Sequence, residues 1–418
     1  MQGASLEAVD FSTWIPGWAS FFAVMIYGTL LVRQAVLVRR ARETMRSRVL
    51  VTGSRGKSGT VRLIHAALAG TGRPAYAKIT GTAAVELLPD GSEVQTVRIG
   101  APGVSELPQT VIRAARAGAE YGVFECMAIS PELIHIVQAK YVQAQVVVIP
   151  TIRLDHLEDE GLTEVEIGMN IFDSIGDCDY VVAGVDQPEL QIAYRQWCDA
   201  KGVEFVLATP RPDTPRVIGH HPTNIEVARE ALRILGLSDE EARAGMLAAS
   251  TEPNALSFYS IDTPGGISLC LADIGAANDP QSAAEALDQW PLSGDVVVPI
   301  LANRWDRPLR SVVFAGAVLG RYPVVGISGC LFEWTKNLKP DELSDVRREY
   351  RHTKLFRLTH GLAVNPDRLA GRLTELLGTP ESGRLVLVIM ENTHDTETDW
   401  LRKTFAERGS LLTLDYVT

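Results

Sequence analysis

The chain has 418 residues, 46% of them hydrophobic and 22% charged, and a net charge of −11 at pH 7. This length and balance predict more than one folded domain and exclude a disordered chain. The acidic net charge argues against a nucleic-acid-binding protein, since a protein that neutralises phosphate backbones needs a basic face. The five cysteines form no C-x-x-C pair, which favours reduced thiols in a cytosolic setting.

An uncharged apolar segment runs from Phe11 to Val32. Its length suits one membrane-spanning helix. Six arginines follow it between Arg33 and Arg48, whereas acidic residues precede it. By the positive-inside rule, the sequence predicts a single-pass membrane anchor with the rest of the chain in the cytoplasm. A buried core helix is the alternative, because small and polar residues interrupt the segment.

The next stretch, SRVLVTGSRGKSGTVRLIHA (47–66), is typical of a strand, a glycine loop and an amphipathic helix. Such a loop directs backbone N–H groups and the positive end of a helix dipole at a polyphosphate. Lys57 is expected to bind the β- and γ-phosphates, and Ser58 to offer its hydroxyl to Mg²⁺. The spacing is shorter than in the general phosphate loop, so an ordinary turn containing a lysine is the alternative.

Alternating strand-like and helical segments follow the loop. The strand-like runs are 121–127, 144–150, 180–185 and 205–209. This alternation predicts a P-loop-type parallel sheet with helices on both faces, in which ligands gather at the carboxyl ends of the strands. Glu125 and His156 follow neighbouring strands, so together with Ser58 they form a predicted magnesium site. For either residue alone, a surface salt bridge or a helix cap is the alternative.

Residues 78–106 contain a second glycine–threonine turn, Thr80-Gly81-Thr82, and a predicted hairpin around Asp90. We expect this segment to lie over the triphosphate or the acyl acceptor, although a plain solvated hairpin is an equal alternative for residues 87–96. Further on, His220 and His221 lack partners at metal-ligand spacing, which favours histidines that are structural or lie at the edge of the nucleotide site.

A second, smaller α/β region of Rossmann-like type begins near residue 256. Its strand-like runs are 267–275, 296–304, 324–329 and 384–392. The chain is therefore divided into a membrane anchor with a basic juxtamembrane segment (1–46), a central nucleotide-binding domain (47–255) and a C-terminal α/β domain (256–418).

Seven motifs resemble the Mur-type ATP-dependent amide ligases, and within them the poly-γ-glutamate synthase subfamily. They are GSRGKS (53–58), KITGTAA (78–84), VFECMA (123–128), RLDHLEDEG (153–161), HPTNIEVA (221–228), GAANDPQS (275–282) and NRWDR (303–307). The resemblance covers nearly the whole chain. It implies an ADP-forming acid–amino-acid ligase that uses ATP and Mg²⁺, activates a glutamyl carboxylate as an acyl phosphate and joins it to the amine of glutamate. The implied partners are growing polyglutamate and small membrane subunits at a bacterial cell membrane, with a homo-oligomer also possible.

The resemblance also implies roles for individual residues. The ATP-binding set is Gly53, Ser54, Arg55, Gly56, Lys57, Ser58, Gly59, Asn224 near the adenine, Asp273, Arg304 and Asp306. The implied catalytic residues are Lys57, Glu125, His156 and Arg307. The implied Mg²⁺ ligands are Ser58, Glu125 and His156. The substrate set is Thr80, Gly81, Thr82, Arg98, Arg153, Asn278 and Asp279. Which of Arg98, Arg153, Arg304 and Arg307 pairs with which anionic substrate stays open, as does the choice of Asp155 or Glu125 as general base for the amine.

The sequence departs from the family in three ways. Residues 164–175 contain no lysine that could be carbamylated to bridge a second magnesium, and Thr151 replaces an asparagine near the Asp-His pair. Only about 45 residues precede the loop, which argues against a uridine-linked cell-wall substrate. A membrane-anchored ATPase switch or motor for a transport complex is the alternative function, and a scaffold without catalysis is a third.

Overall fold

The computed structural model describes residues 17–80, 84–96, 98, 103–155, 157, 159–217, 220–250, 257–275, 279–288, 295–304, 307–329, 352–391 and 395–412. Two β-sheets with helices packed on them form the body of the protein. The strands of the first sheet lie between residues 47 and 207, and those of the second between residues 257 and 411. The predicted α/β fold class is confirmed.

The first sheet has eight strands in the order β4-β3-β2-β5-β1-β6-β7-β8. They are β1 (Ser47–Val51), β2 (Ala75–Ile79), β3 (Val85–Leu87), β4 (Glu93–Gln95), β5 (Tyr121–Glu125), β6 (Val146–Ile149), β7 (Tyr180–Ala183) and β8 (Glu204–Leu207). The helices of this part of the chain are α1 (Gly17–Thr44), α2 (Lys57–Gly70), α3 (Leu107–Arg116), α4 (Pro131–Ile136), α5 (Glu164–Ser174), α6 (Pro188–Lys201), α7 (Pro222–Ile234) and α8 (Asp239–Leu247).

Six neighbouring strands of this sheet are parallel, and both faces of this part of the sheet are covered. In spatial order they are β2, β5, β1, β6, β7 and β8. Successive side chains of a strand point to opposite faces. Leu50 accordingly packs in one apolar core with α3 to α6, whereas Val49 and Val51 pack in a second core with α2, α7 and α8. A strand buried on both faces needs an apolar residue at every position, which explains why the runs were visible in the sequence.

The predicted hairpin extends the edge of this sheet. β3 pairs antiparallel with β2 and with β4, so the hairpin continues the sheet rather than standing apart in solvent. β4 is exposed, and Glu93 at its start forms a salt bridge with Arg62 of α2 at 2.7 Å.

The second sheet has seven strands in the order β13-β12-β11-β14-β10-β9-β15. They are β9 (Ser257–Asp262), β10 (Ser268–Asp273), β11 (Val296–Asn303), β12 (Val324–Gly329), β13 (Lys354–Arg357), β14 (Arg384–Met390) and β15 (Ser410–Leu411). β9 pairs antiparallel with both of its neighbours, β10 and β15, and the other neighbouring strands pair parallel. Its helices are α9 (Pro280–Asp288), α10 (Pro308–Val318), α11 (His360–Ala363), α12 (Pro366–Leu377) and α13 (Thr396–Arg408).

We call the first sheet with its helices the first domain, and the second sheet with its helices the second domain. Helix α1 combines an exposed apolar half with a half that is packed on the first domain. Its residues 19–44 are long and apolar enough to cross a membrane, with a mean hydropathy of 1.9 in the most apolar window. Val38 and Ala41 are buried in the same core as α3. Arg42 donates to the carbonyl of Lys140 at 2.6 Å, so the end of α1 is fixed to the first domain.

Glu391 gives the second domain a predicted pH dependence. It follows β14, is fully buried and has a positive φ of 82°. Burial raises its pKa from 4.5 to about 7, although a hydrogen bond from Ser311 and the charge of Arg310 oppose the shift. The unfolded chain ionises this carboxyl near pH 4.5, so the free energy of unfolding falls as the pH rises from 4.5 to about 7.

We therefore expect Glu391→Gln to raise the melting temperature relative to the unmodified chain by an amount that grows through this pH window and is constant above it. Thermal unfolding from pH 4.5 to 8 measures the difference, with exposed Glu381→Gln as the control. If the difference in melting temperature between Glu391→Gln and the unmodified chain is the same at pH 4.5 and at pH 7, the raised pKa of Glu391 is contradicted.

Candidate active site

The glycine loop after β1 is held against the strand beside it. Ser54 and Arg55 donate their backbone N–H groups to the carbonyl of Thr151, at 3.2 and 3.3 Å. The hydroxyl of Ser54 accepts a hydrogen bond from the backbone of Arg153 at 2.6 Å. Gly53 and Gly56 have φ values of 123° and 77°, which favour glycine at both positions. The loop is therefore built as a rigid turn that leads into the N-terminus of α2.

The side chain of Asn224 lies directly against this loop. A Cβ at Gly56 would lie 2.2 Å from Asn224 Oδ1, and a Cβ at Gly59 would lie 3.6 Å from its Nδ2. Asn224 stands in the first turn of α7, where His221 caps the helix by accepting the N–H of Thr223 at 3.2 Å. His221 therefore has a structural role at the start of α7.

We expect Gly56→Ala to weaken ATP binding by at least about tenfold, because the added methyl group displaces Asn224 and strains the loop. Gly236→Ala is the matched control, since Gly236 has a φ of 85° and nothing within 4 Å of the added Cβ. Nucleotide titration with both variants shows whether a loss of affinity is specific to the glycine loop. Equal affinities in the two variants would contradict the proposed contact.

Lys57 begins α2 and folds back over the loop. Its Nζ donates to the carbonyl of Gly53 at 2.6 Å and to that of Ser54 at 3.3 Å. The ammonium group therefore stands at the start of α2, where the first N–H groups of the helix would face a phosphate.

Glu125 and Ser58 meet at the carboxyl edge of the sheet. Ser58 Oγ lies 3.2 Å from both carboxylate oxygens of Glu125, and the backbone N–H of Thr80 donates to Glu125 Oε2 at 2.8 Å. Glu125 is 3% exposed. A hydroxyl and a carboxylate, both oxygen donors, are the ligands that Mg²⁺ prefers, so these two side chains fit the magnesium ion that the sequence predicts.

The remaining predicted residues lie in several places. Arg98 binds Glu106 at 2.9 Å and the carbonyl of Thr80 at 3.2 Å, so it supports the turn that holds Glu125. Arg153 pairs with Asp186 at 2.8 Å. Five predicted site residues lie outside the described residues: Gly81, Thr82, His156, Asn278 and Asp306.

The predicted residues that the structure describes in the second domain lie at or shortly after the carboxyl ends of its strands. Asp273 ends β10 and pairs with Arg402 of α13 at 2.7 Å. Arg304, just after β11, is exposed, and Arg307 directly precedes α10. Asp279 lies against the glycine loop, with its carboxylate 3.4 Å from Arg55.

Two residues near the site were missed by sequence reasoning. Arg310 reaches from α10 to Asp155 at 2.6 Å. Glu160 is 4% exposed, and burial raises its pKa to about 7 despite the nearby charges of Lys57 and Arg55. Arg310 belongs to the RWDRPLR stretch but lies beyond the motif, whereas Glu160 lay inside the quoted motif without a distinct signal.

Comparison with known families decides the class of the protein. The Mur ligase middle domain model matches residues 51–209, and the C-terminal domain model of the poly-gamma-glutamate synthase CapB matches residues 258–408. The chain belongs to the Mur-type amide ligases. The chain is therefore an ATP-dependent, ADP-forming amide ligase.

Two curated relatives of this Mur-type ligase carry related names. PGA synthase CapB of Bacillus subtilis is 27% identical over 285 residues, which cover 65% of this chain and 71% of that protein. Capsule biosynthesis protein CapB of Bacillus anthracis is 28% identical over 286 residues, which cover 65% of this chain but only 60% of that protein.

Solved structures agree on the fold of this Mur-type ligase. FolC of E. coli in complex with ADP has a TM-score of 0.58 at 15% identity, covering 90% of this chain and 94% of that one. Folylpolyglutamate synthase of Mycobacterium tuberculosis, complexed with ADP and AMPPCP, has a TM-score of 0.58 at 14% identity, with coverages of 93% and 100%. MurF of Acinetobacter baumannii has a TM-score of 0.57 at 14% identity, with coverages of 90% and 80%.

Helix α5 of this ligase, Glu164–Ser174, contains no lysine. The carbamylated lysine that the resemblance led us to look for therefore has no counterpart on this helix.

Proposed function

We propose that this ligase joins glutamate units into poly-γ-glutamate. The observation that carries the proposal is the match of the whole second domain to the poly-gamma-glutamate synthase C-terminal family, together with two relatives named for that synthase or for capsule formation. The fold alone would also admit a folate or cell-wall substrate, because the structural neighbours include both kinds of ligase.

The first step is the activation of a carboxylate, since a carboxylate is too poor an electrophile to react with an amine. The γ-phosphate of ATP passes to a glutamyl carboxylate, which gives an acyl phosphate and ADP. Lys57 and the N–H groups at the N-terminus of α2 are proposed to hold the phosphates in line for this transfer. Ser58, Glu125 and His156 are proposed to hold Mg²⁺, which would supply positive charge to the phosphate oxygens when bound.

The second step is attack by the amine of an incoming glutamate on the acyl carbon, which forms the amide and releases phosphate. Arg304 and Arg307 stand at the carboxyl edge of the second sheet and are proposed to bind the anionic substrates. Asp155 is a poor proton acceptor for the amine, because its two oxygens accept from Arg310 at 2.6 Å and from Arg55 at 3.1 Å.

We further propose that α1 anchors the enzyme in the cell membrane with both ligase domains on the cytoplasmic side. The exposed apolar half of α1 and its basic end support this arrangement. Its packed half would hold the active site close to the membrane, where membrane subunits could receive the polymer.

For the test, the full chain is reconstituted in membranes with its partner subunits. ATP and isotope-labelled glutamate are then added. We expect glutamate-dependent formation of ADP and phosphate, and a labelled polymer that a γ-glutamyl hydrolase degrades. Mass spectrometry and an ADP assay measure the two products. A folate monoglutamate and a uridine-linked cell-wall precursor are the control acceptors. Faster amide formation with either control, or ATP turnover unaffected by glutamate, would overturn the proposal.

A further inference from the structure

Four charged side chains connect the two domains beside the glycine loop. Arg55 and Asp155 belong to the first domain, and Asp279 and Arg310 to the second. Asp155 accepts from Arg310 at 2.6 Å and pairs with Arg55 at 3.1 Å, while Arg55 also lies 3.4 Å from Asp279. Each domain therefore contributes one acid and one arginine to a single group, which we call the interdomain cluster.

The interdomain cluster is shielded from water. The side chains of Asp155 and Asp279 are 5% and 2% exposed, and those of Arg310 and Arg55 are 11% and 18% exposed. Exposed ion pairs contribute little, but the loss of one partner from a buried pair leaves an uncompensated charge. The interdomain cluster should therefore strongly stabilise the contact between the two domains.

Each member of the cluster is fixed on its own domain. Arg55 lies inside the glycine loop, and its backbone N–H donates to Thr151. Asp279 caps the start of α9 by accepting from the backbone N–H of Ser282 at 2.8 Å. Arg310 stands in the first turn of α10 and also donates to the carbonyl of Glu391 at 3.4 Å. A rotation that separates the domains must therefore break the contacts to Asp155 and to Asp279.

We propose that Arg310 is a positioning residue that latches the second domain onto the glycine loop through Asp155 and Arg55, and so keeps water from the activated carboxylate. This inference rests on the proposed ligase reaction. In the closed enzyme the amine attacks the acyl carbon, the bond to the phosphate oxygen breaks, and one amide forms for each ADP. In an enzyme that opens too early, water attacks instead, and the products are the original carboxylate, phosphate and ADP.

The test compares the Arg310→Met variant with the unmodified chain, each as the full chain in the same membranes. We expect ADP formation to continue while the ratio of ADP to amide rises at least about fivefold. Arg310→Lys, which keeps the charge but loses the planar fork, should give an intermediate ratio. Arg372→Met is the matched control, because Arg372 forms an exposed pair with Glu375 on α12, and its ratio should equal that of the unmodified chain.

A second measurement follows the domains directly. Spin labels on Arg243→Cys of α8 and Glu381→Cys, in a chain where Cys178 and Cys330 are serine, report the distance between the domains by pulsed electron resonance. Arg310→Met should broaden this distance distribution, and Arg372→Met should leave it unchanged. If Arg310→Met does not fold in a thermal melt, Arg310→Lys is judged on the same two criteria.

An unchanged ratio together with an unchanged distance distribution in a folded Arg310 variant would overturn the latch. If the unmodified chain makes no glutamate amide, the proposed function fails. The distance measurement then decides about the latch by itself, since it does not depend on the reaction.

Discussion

Replacing Lys57 with alanine is expected to lower glutamate-dependent ADP formation by about 10³-fold, because the variant loses the ammonium group that is proposed to contact the transferred phosphate. Lys57 Nζ lies 2.6 Å from the carbonyl of Gly53, so the ammonium group is already in position over the loop. The measurement is ADP release at saturating ATP and glutamate, with nucleotide binding followed separately.

The control for this prediction is Lys403→Ala. Lys403 lies on α13, and its side chain is 59% exposed, so its removal should leave the rate unchanged. The substitution also separates a ligase from a scaffold, because a scaffold would keep its function without Lys57. A Lys57→Ala enzyme that stays folded and retains most of the ADP formation would contradict the role given to the loop.

The glycine loop and the strand ends were predictable because their signals are local. The order of an apolar run, a glycine turn and a helix specifies β1, the loop and α2 within 20 residues, and steric freedom at Gly53 and Gly56 is needed in any fold that uses it. Glu125 could be placed beside Ser58 because parallel strands bring their carboxyl ends to one edge, and the register pairs Glu125 with Val51 at the end of β1.

The contacts that sequence reasoning could not supply are those between distant segments. Arg310 and Asp155 are 155 positions apart, and no spacing rule links a first helical turn in one domain to a loop in the other. Asn224 had been expected near the adenine, and its contact with Gly56 depends on how α7 packs against α2. Arg98 had been expected to bind substrate, and its support of Thr80 depends on the hairpin folding back over β2. Each of these is decided by packing rather than by local pattern.

Replacing Glu125 with glutamine should nearly abolish activity at ordinary Mg²⁺ concentrations, with a fall of about 10²- to 10³-fold, and should raise the Mg²⁺ concentration that gives half-maximal rate. The amide keeps the size of the side chain and can still accept from the N–H of Thr80, which is 2.8 Å from Glu125 Oε2, so the fold should survive. What it loses is the negative charge that we propose to hold a divalent cation beside the hydroxyl of Ser58.

The measurement for Glu125→Gln is the initial rate of ADP formation over a range of Mg²⁺ concentrations, with thermal unfolding as a check on the fold. Glu120→Gln is the matched control, since Glu120 directly precedes the same strand but is exposed. Because the two glutamates differ in burial and in their distance from the glycine loop, a change confined to Glu125→Gln would point to the metal site rather than to net charge. An unchanged Mg²⁺ dependence in Glu125→Gln would instead show that Glu125 is not a metal ligand. Oxygen atoms of other residues would then have to bind the ion beside Ser58.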